Sequence, residues 1–225
     1  MAPFAFICSY RYRSSGKYID SNHPAVVSYA HENAGEAQTV RQRVLNFYYT
    51  IRDTIRYDPY MPIANPASYR ASDAVVTKRG WCVPKAALLA ACCRIYGIPA
   101  RPGYADVRNH LATERLLALL GTDTFAWHSY CDIYIDGKWV KATPSFNLSL
   151  CDKFGLKPLE FDGKNDSLFH EFDQMGNKHM EYIQDRGFFS DVPFELILAT
   201  FKKLYKPDYI RGAGGDFHKE AAQSR

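Results

Sequence analysis

A cysteine and a histidine in this chain have the types and spacing for nucleophilic chemistry. Cys82 follows Gly80 and Trp81 at the predicted start of a helix. Unsatisfied N–H groups at a helix N-terminus favour a thiolate and lower the pKa of a cysteine placed there. The alternative is a buried cysteine that acts as a small hydrophobe. Cys92 and Cys93 lie beyond the first turn, where this effect is lost, so we expect them to be core residues.

His128 is the candidate partner for the Cys82 thiol, because histidine is the usual base for a cysteine nucleophile. The stretch FAWHSYCDIYIDGKWVKATPSF consists of two strand-like runs joined by Asp-Gly, the preferred pair for a tight hairpin turn. In the register that this turn sets, His128 faces Ser145 and has Thr143 as its diagonal neighbour. Thr143 could then fix the imidazole tautomer, as the third member of a triad does. Without a cysteine nearby, a strand histidine with a backbone bond would be the better interpretation.

Two spaced stretches, GWC…KAALLAACCRIYGIPARPGY and WHSYCDIYIDGKWVKATPSF, resemble the transglutaminase-like superfamily. The upstream IRDTIRYD and SDAVVTKRG match the segments that usually precede the cysteine, and the resemblance covers about residues 40–147. It implies a papain-like α+β fold, in which the cysteine-bearing helix packs on an antiparallel β-sheet. It also implies acyl transfer through a thioester on Cys82, with His128 as the base.

The chain departs from the superfamily's pattern at the acidic positions. Asp132 stands where a Glu is usual, and Thr143 stands where an Asp usually precedes a Pro. A threonine can accept an imidazole N–H bond, but it carries no charge and would stabilise an imidazolium less. Asp132 is a poor substitute, since four residues along a strand span about 13 Å. Ser145 and Asn147 stay open as orienting residues, and an Asn would complete a papain-like trio.

The leading hypothesis is therefore a cysteine acyltransferase or hydrolase of the protease or amidase type. Its catalytic triad would be Cys82, His128 and Thr143. The substrate would be a peptide, an amide or a thioester, and the acyl acceptor either water or an amine. The alternative is a transglutaminase-like binding or scaffold protein with weak or no activity, since the charged third residue is lost.

Stabilisation of an oxyanion needs donors near the thioester carbonyl. The backbone N–H of Cys82 is the natural first donor. Trp81, Tyr57 and Tyr60 are candidates for the second donor, and the sequence does not choose among them.

Other polar residues give weaker signals. Those between the cysteine helix and the histidine strand would suit a polar substrate or a solvated loop: Asp106, Arg108, Asn109 and His110. A metal site could be built from a later group, but its spacing fits no metal motif: Asp162, Asp166, His170, Asp173 and His179. No calcium loop is visible, so we expect activity without a metal or another cofactor.

The elements that must position these residues follow from hydrophobic periodicity. A helix is predicted from apolar residues at steps of three and four: Val40, Val44, Phe47, Ile51 and Ile55. SDAVVTKRG predicts a short helix with Ser72 as N-cap and Gly80 at its C-terminal end. ARPGYADV predicts a strand, while ATERLLALLG and PFELILATFKKLY predict helices.

Length and composition favour one domain. The chain has 225 residues, of which 47% are hydrophobic. We expect a single domain over 1–210, with a core at about 40–147, a C-terminal capping extension at 148–210 and a disordered tail at 211–225.

Charge and hydropathy exclude some functions. The net charge of +4 is spread along the chain, which argues against nucleic acid binding. No apolar run reaches the roughly 20 residues that span a membrane. The first residues do not read as a signal peptide, so we expect a cytoplasmic protein with reduced thiols. The sequence does not predict an oligomeric state.

Overall fold

The computed structural model describes residues 10–110, 112–168, 175 and 180–223. The helices are α1 (Pro24–Asn33), α2 (Val40–Thr54), α3 (Ala71–Thr77), α4 (Cys82–Ile95), α5 (Glu114–Leu120), α6 (Leu148–Phe154), α7 (Phe194–Leu204), α8 (Pro207–Arg211) and α9 (Phe217–Gln223). A short 3-10 helix spans Pro66–Tyr69. The strands are β1 (Arg56–Tyr57), β2 (Arg79–Gly80), β3 (Ala100–Asn109), β4 (Thr124–Ile135), β5 (Lys138–Ala142) and β6 (Met180–Phe188).

The central sheet is antiparallel, with the strand order β5–β4–β3–β6. β4 and β5 form the predicted hairpin, and its turn residues Asp136 and Gly137 have φ values of 48° and 87°. Positive φ at both positions is what the predicted tight turn requires. The ladder between β4 and β5 ends where Cys131 pairs with Ala142, so Thr143 no longer pairs with β4.

Helix α4 lies against β3 and β4, and α1, α2 and α3 cover its other sides. For this reason every residue from Cys82 to Arg94 is buried. Arg94 ties the end of the helix to its surroundings by donating to the carbonyl groups of Ala100, Ser14 and Ser190. The chain thus has the expected papain-like α+β arrangement, with the cysteine-bearing helix packed on an antiparallel sheet.

The bounds of α3 differ from the prediction. Its N-cap is Arg70 rather than Ser72, and Lys78 takes the left-handed position at its C-terminal end, with φ 55°. Gly80 instead belongs to β2, which pairs with β1. A Cβ atom at Gly80 would lie 3.2 Å from the Pro84 ring, so glycine lets the first turn of α4 pack close to β2.

The other predicted helices are confirmed. α2 begins with a capping box, in which Thr39 and Gln42 exchange side-chain and backbone hydrogen bonds. α5 closes on Gly121, with φ 80°. α7 buries Ile197 and Phe201 on one face.

The extension after residue 147 contributes a strand to the central sheet, which the sequence analysis did not predict. Strand β6 pairs with β3 at the sheet edge. Its register shifts between Tyr104 and Ala105, and again between Asp106 and Val107. Such irregularities break the alternation of apolar and polar residues from which strands are predicted.

The prediction of a disordered tail is wrong for residues 217–223, which form α9. Phe217 is buried, with ring centroids 6.0 Å from Tyr57, 5.9 Å from Tyr60 and 5.5 Å from Phe154. Burial of this aromatic side chain stabilises a helix whose polar composition alone does not predict it.

Candidate active site

Cys82 is the first residue of α4, as the sequence predicts. The helix begins there because Trp81 is extended, with φ −93° and ψ −169°, and Pro84 fits a first turn whose N–H groups lack intrahelical partners. The Cys82 side chain is buried, with 4% of its surface exposed. The backbone N–H of Ser129 in β4 lies close enough to the sulfur to lower the pKa of the thiol. The Cys82 side chain thus lies against β4, near the residue that follows His128.

The ionisation of Cys82 differs from the expectation. Burial raises the pKa of the thiol to about 12, although the backbone N–H groups of Ser129, Val83 and Cys82 itself lower it in part. The expectation of a lowered pKa is wrong for this buried form, because desolvation of a charged sulfur outweighs the partial charge at the helix end. Cys82 is therefore a neutral thiol at pH 7, so it would need a base to act as a nucleophile.

Several buried tyrosine side chains lie close enough to Cys82 for a charge on the thiol to affect their pKa, and the sequence motifs point to only one of them, Tyr57. Burial raises the pKa of each, and a charge on Cys82 raises it further: Tyr57, Tyr69, Tyr205 and Tyr209. Tyr205 and Tyr209 come from the C-terminal extension. The sequence signal was the count of 16 Tyr, which indicates an aromatic-lined cleft without saying which residues line it.

His128 lies in β4 at an irregularity of the strand. The preceding residue, Trp127, has φ 59°, and its N–H donates to Asp106 at 3.0 Å. Pairing with β3 shifts register at the same place. Burial lowers the pKa of His128 to about 4, so the ring is neutral at pH 7. A neutral imidazole is the form that accepts a proton from a thiol.

Thr143 and Ser145 lie beside His128, and the three side chains line one small cavity. The Nε2 atom of His128 and both hydroxyl oxygens are buried without a hydrogen-bond partner among the described residues. The structure thus brings His128, Thr143 and Ser145 together without a direct bond between the ring and Thr143, whose orienting role stays a prediction.

Asn147, an alternative orienting residue, is used elsewhere. Its Oδ1 accepts the backbone N–H of Tyr57 at 2.7 Å, and its Nδ2 donates to the carbonyl oxygens of Arg52 and Ile55. The same carbonyl oxygens accept bonds from the buried Lys85, at 2.9 and 2.6 Å. Asn147 therefore anchors the junction between α2 and β1.

Asp132 is also committed to another partner. Its carboxylate accepts from the Arg101 guanidinium at 2.7 Å. That guanidinium lies 3.9 Å from the ring centroid of Trp139 and 3.3 Å from that of Phe188. Asp132 and Arg101 thus form a buried ion pair enclosed by aromatic rings, which agrees with the expectation that Asp132 does not orient His128.

The candidates for the second oxyanion donor differ in whether their side-chain donor already has a hydrogen-bond acceptor. The Trp81 indole donates to the Ser68 carbonyl at 3.3 Å, and the Tyr60 hydroxyl donates to Glu220. The Tyr57 hydroxyl makes no hydrogen bond within the described part of the chain, and its ring lies near the thiol. Tyr57 is therefore the remaining side-chain candidate.

The weaker polar signals have local explanations. Asp106 is buried and pairs with Arg186 at 2.6 Å, and Arg108 pairs with Asp123 at 3.1 Å at the exposed surface, so both residues have ion-pair partners within the chain. Of the possible metal ligands, some lie outside the described residues: His170, Asp173 and His179. Within the described ranges, no group of three or more His, Cys, Asp or Glu side chains could hold a metal ion.

No helix in those ranges combines the length and apolar character that a membrane span requires.

Comparison with known sequences identifies the family. A sequence model of the transglutaminase-like superfamily matches residues 27–144, more than half of the chain. The chain belongs to this superfamily. No curated protein is similar enough in sequence to count as a match.

One matching solved structure is described as a "Putative Cysteine Protease" from Cytophaga hutchinsonii. The sequence identity is 17% and the TM-score is 0.46, over 79% of this transglutaminase-like chain and 53% of that chain. The chain thus spans about half the length of that protein.

The superfamily match includes Cys82, His128 and Thr143, whereas Ser145 and Asn147 follow its last residue. It also includes α4 and the hairpin of β4 and β5, the elements that position these side chains. At the level of the family, membership supports cysteine-based acyl transfer or hydrolysis.

Proposed function

We propose that this transglutaminase-like chain catalyses acyl transfer through a thioester on Cys82, with His128 as general base. The observation that carries the proposal is the packing of the start of α4 on β4, where the Ser129 N–H lies close enough to Cys82 to lower the pKa of its thiol, one residue along the strand from His128. That residue, His128, is neutral at pH 7, which is the protonation state that a general base requires.

The first half of the reaction acylates the enzyme. The Cys82 sulfur attacks the carbonyl carbon of a peptide, amide or thioester, while His128 takes the thiol proton. A C–S bond forms, and the carbonyl π electrons move to oxygen. The backbone N–H of Cys82 and the Tyr57 hydroxyl are the donors proposed for this oxyanion. When the intermediate collapses, the bond to the leaving group breaks and His128 returns its proton to that group.

The second half releases the acyl group. Water or an amine attacks the thioester carbonyl, and His128 takes a proton from the attacking atom. The C–S bond then breaks, and the sulfur of Cys82 recovers its proton from His128. Water gives hydrolysis and an amine gives transamidation, so both reactions share one acyl-enzyme.

Trapping of the acyl-enzyme tests the proposal. Folded wild-type chain is incubated with cell extract or a peptide thioester, quenched in acid and analysed by peptide mass spectrometry. We expect an acyl adduct on Cys82 that hydroxylamine removes, no adduct in Cys82→Ala, and a reduced amount in His128→Gln. Adducts that form equally on Cys92 or Cys131, or none in any folded sample, would reject the proposal.

The second candidate function is a binding protein without turnover. The observation that favours it is the enclosure of Cys82, which is 4% exposed and lies near Tyr205 and Tyr209 of the extension. A binding protein would form no acyl-enzyme even when the extension is opened, whereas a closed enzyme would then form one. The same trapping experiment on a Tyr205→Ala and Tyr209→Ala double variant, which removes the extension's rings near the thiol, therefore separates the two functions.

A further inference from the structure

A small cavity lies beside His128, in the site proposed above. Its walls are formed by His128, Thr143, Ser145, Phe146, Leu159, Leu168 and Met180. The space open to the centre of a water molecule is about 10 Å³, which is about what one water needs. The cavity therefore has room for one small polar molecule next to the proposed base.

Buried polar atoms on this wall lack partners. The Nε2 atom of His128, the Oγ1 atom of Thr143 and the Oγ atom of Ser145 make no hydrogen bond within the described part of the chain. The residues that carry them are 9%, 2% and 4% exposed. Buried polar groups are nearly always hydrogen-bonded to protein or ordered water. Unpartnered groups that line one cavity thus indicate a shared ligand.

The backbone of Thr143 is already fixed, which leaves its hydroxyl for this ligand. Its N–H donates to the carbonyl oxygen of Ser167 at 2.9 Å. Its carbonyl oxygen accepts from the Tyr48 hydroxyl at 3.3 Å. These bonds hold the side chain at the cavity even though β5 has ended one residue earlier.

We propose that this cavity binds one water molecule, which joins the Nε2 atom of His128 to the hydroxyl groups of Thr143 and Ser145. Water fits because it both donates and accepts, and because the protein offers it three partners, within the usual range of two to four. The remaining walls are apolar and would not solvate an ion.

The water gives Thr143 and Ser145 a positioning role in the proposed function, on which this inference rests. When Nε2–H donates to the water, the proton of the neutral ring is on Nε2 and the Nδ1 lone pair is free. That tautomer accepts a proton at Nδ1, as a general base must. The water thus takes the place of a direct bond from an acidic third residue.

Crystallography and NMR of the full chain test the inference. A high-resolution crystal structure should show a water within hydrogen-bond distance of Nε2 and of at least one of the two hydroxyl groups. Nitrogen-15 spectra of the imidazole should report the Nε2–H tautomer of His128. The Thr143→Val and Ser145→Ala double variant should lose the water and change the tautomer ratio at least twofold, whereas Thr143→Ser should keep both.

Ser68→Ala is the matched control, because it removes a buried hydroxyl that donates to the Pro62 carbonyl away from the cavity. It should leave the His128 signals unchanged. A dry cavity in the wild-type crystal, or an unchanged tautomer ratio in the folded double variant, would overturn the inference. Neither measurement depends on turnover. A chain that binds the water but forms no acyl-enzyme would therefore support this inference and contradict the proposed function.

Discussion

The backbone N–H of Ser129 lies close enough to the sulfur of Cys82 to lower the pKa of the thiol, so the start of α4 and the middle of β4 meet at the proposed nucleophile. His128 is the next residue back along the strand. A helix start and a strand in contact are both rigid elements, and a catalytic pair built on them is held more precisely than one on loops. The proposed nucleophile and the proposed base therefore depend on each other for the proposed reaction.

Substitution of either residue should show this dependence. Cys82→Ala should abolish the burst of p-nitrophenol from p-nitrophenyl acetate. His128→Gln should slow it by about 10²- to 10⁴-fold, the usual contribution of a general base. Cys92→Ala is the control, since Cys92 is fully buried in the same helix and should leave the burst intact. A burst of wild-type size in folded Cys82→Ala would contradict the assignment.

Removal of α9 should expose the nucleophile. Phe217 packs on Tyr57 and Tyr60, and Tyr57 lies near the Cys82 thiol. Loss of a buried aromatic side chain costs about 1.5–3 kcal/mol. If that energy holds the site closed, opening becomes about 10- to 100-fold more frequent. A chain that ends at Arg211, or Phe217→Ala in the full chain, should be alkylated faster at Cys82.

The measurement is iodoacetamide labelling with peptide mass spectrometry, at a denaturant concentration where both chains are folded. The control is Cys92, whose labelling should stay slow in both chains because it is buried in the core. An unchanged rate at Cys82 in the folded, shortened chain would show that α9 does not close the site.

The sequence predicted the parts of the site that depend on local signals. Asp136 and Gly137 specify a turn and the register of the β4–β5 hairpin as far as Cys131 and Ala142, and Thr143 and Ser145 follow in the chain to line the cavity at His128. Helical periodicity and the first-turn proline Pro84 locate the start of α4 in the same way. Each of these signals lies within a few residues of the feature it predicts.

The parts that depend on long-range packing were not predictable. Tyr205 and Tyr209 come close enough to Cys82 for a charged thiol to raise their pKa only through folding of a distant segment, and their order in the sequence gives no sign of it. The pKa of Cys82 follows burial by the whole surrounding structure, so the local helix-end argument gave the wrong direction. Phe217 was missed for the same reason, because its partners lie far away in the chain.

Acid should destabilise the fold through His128. Burial lowers its pKa from 6.5 to about 4, so between these values the unfolded chain binds more protons than the folded chain. The free energy of unfolding therefore falls as the pH drops through this window, by at most about 3 kcal/mol from this residue. His128→Gln should remove that part of the slope in urea titrations at pH 7 and about pH 4.5.

His218 also has a lowered pKa, first because of burial, and contributes in the same direction. His218 is present in both wild type and His128→Gln. The difference between their slopes of unfolding free energy against pH is therefore the contribution of His128. Equal slopes for the two chains would mean that His128 is not buried as a neutral ring.

Asn147→Ala should reduce stability without touching the proposed base. The backbone N–H of Tyr57 and the junction at Ile55 lose a buried partner, which costs about 1–3 kcal/mol. Chemical denaturation measures the loss, and the imidazole NMR signals of His128 should not move. Asn165→Ala, at an exposed amide, is the control and should change stability little. A shift of the His128 signals in Asn147→Ala alone would place Asn147 in a papain-like trio.

Thr143→Asp tests whether position 143 acts on His128 at all. Thr143 and His128 line the same cavity, and Thr143 is 2% exposed, so a carboxylate there would be poorly screened by solvent. A negative charge within about 4–6 Å raises the pKa of a histidine by about 1 to 3 pH units. Thr143→Asn matches the shape without the charge, so the difference between the two variants measures electrostatics alone. NMR titration of the His128 ring should give a higher pKa in Thr143→Asp than in Thr143→Asn. Equal His128 pKa values in the two folded variants, with the Asp ionised, would remove position 143 from the proposed triad. The reason is that a third residue must interact electrostatically with the imidazolium that forms during acylation.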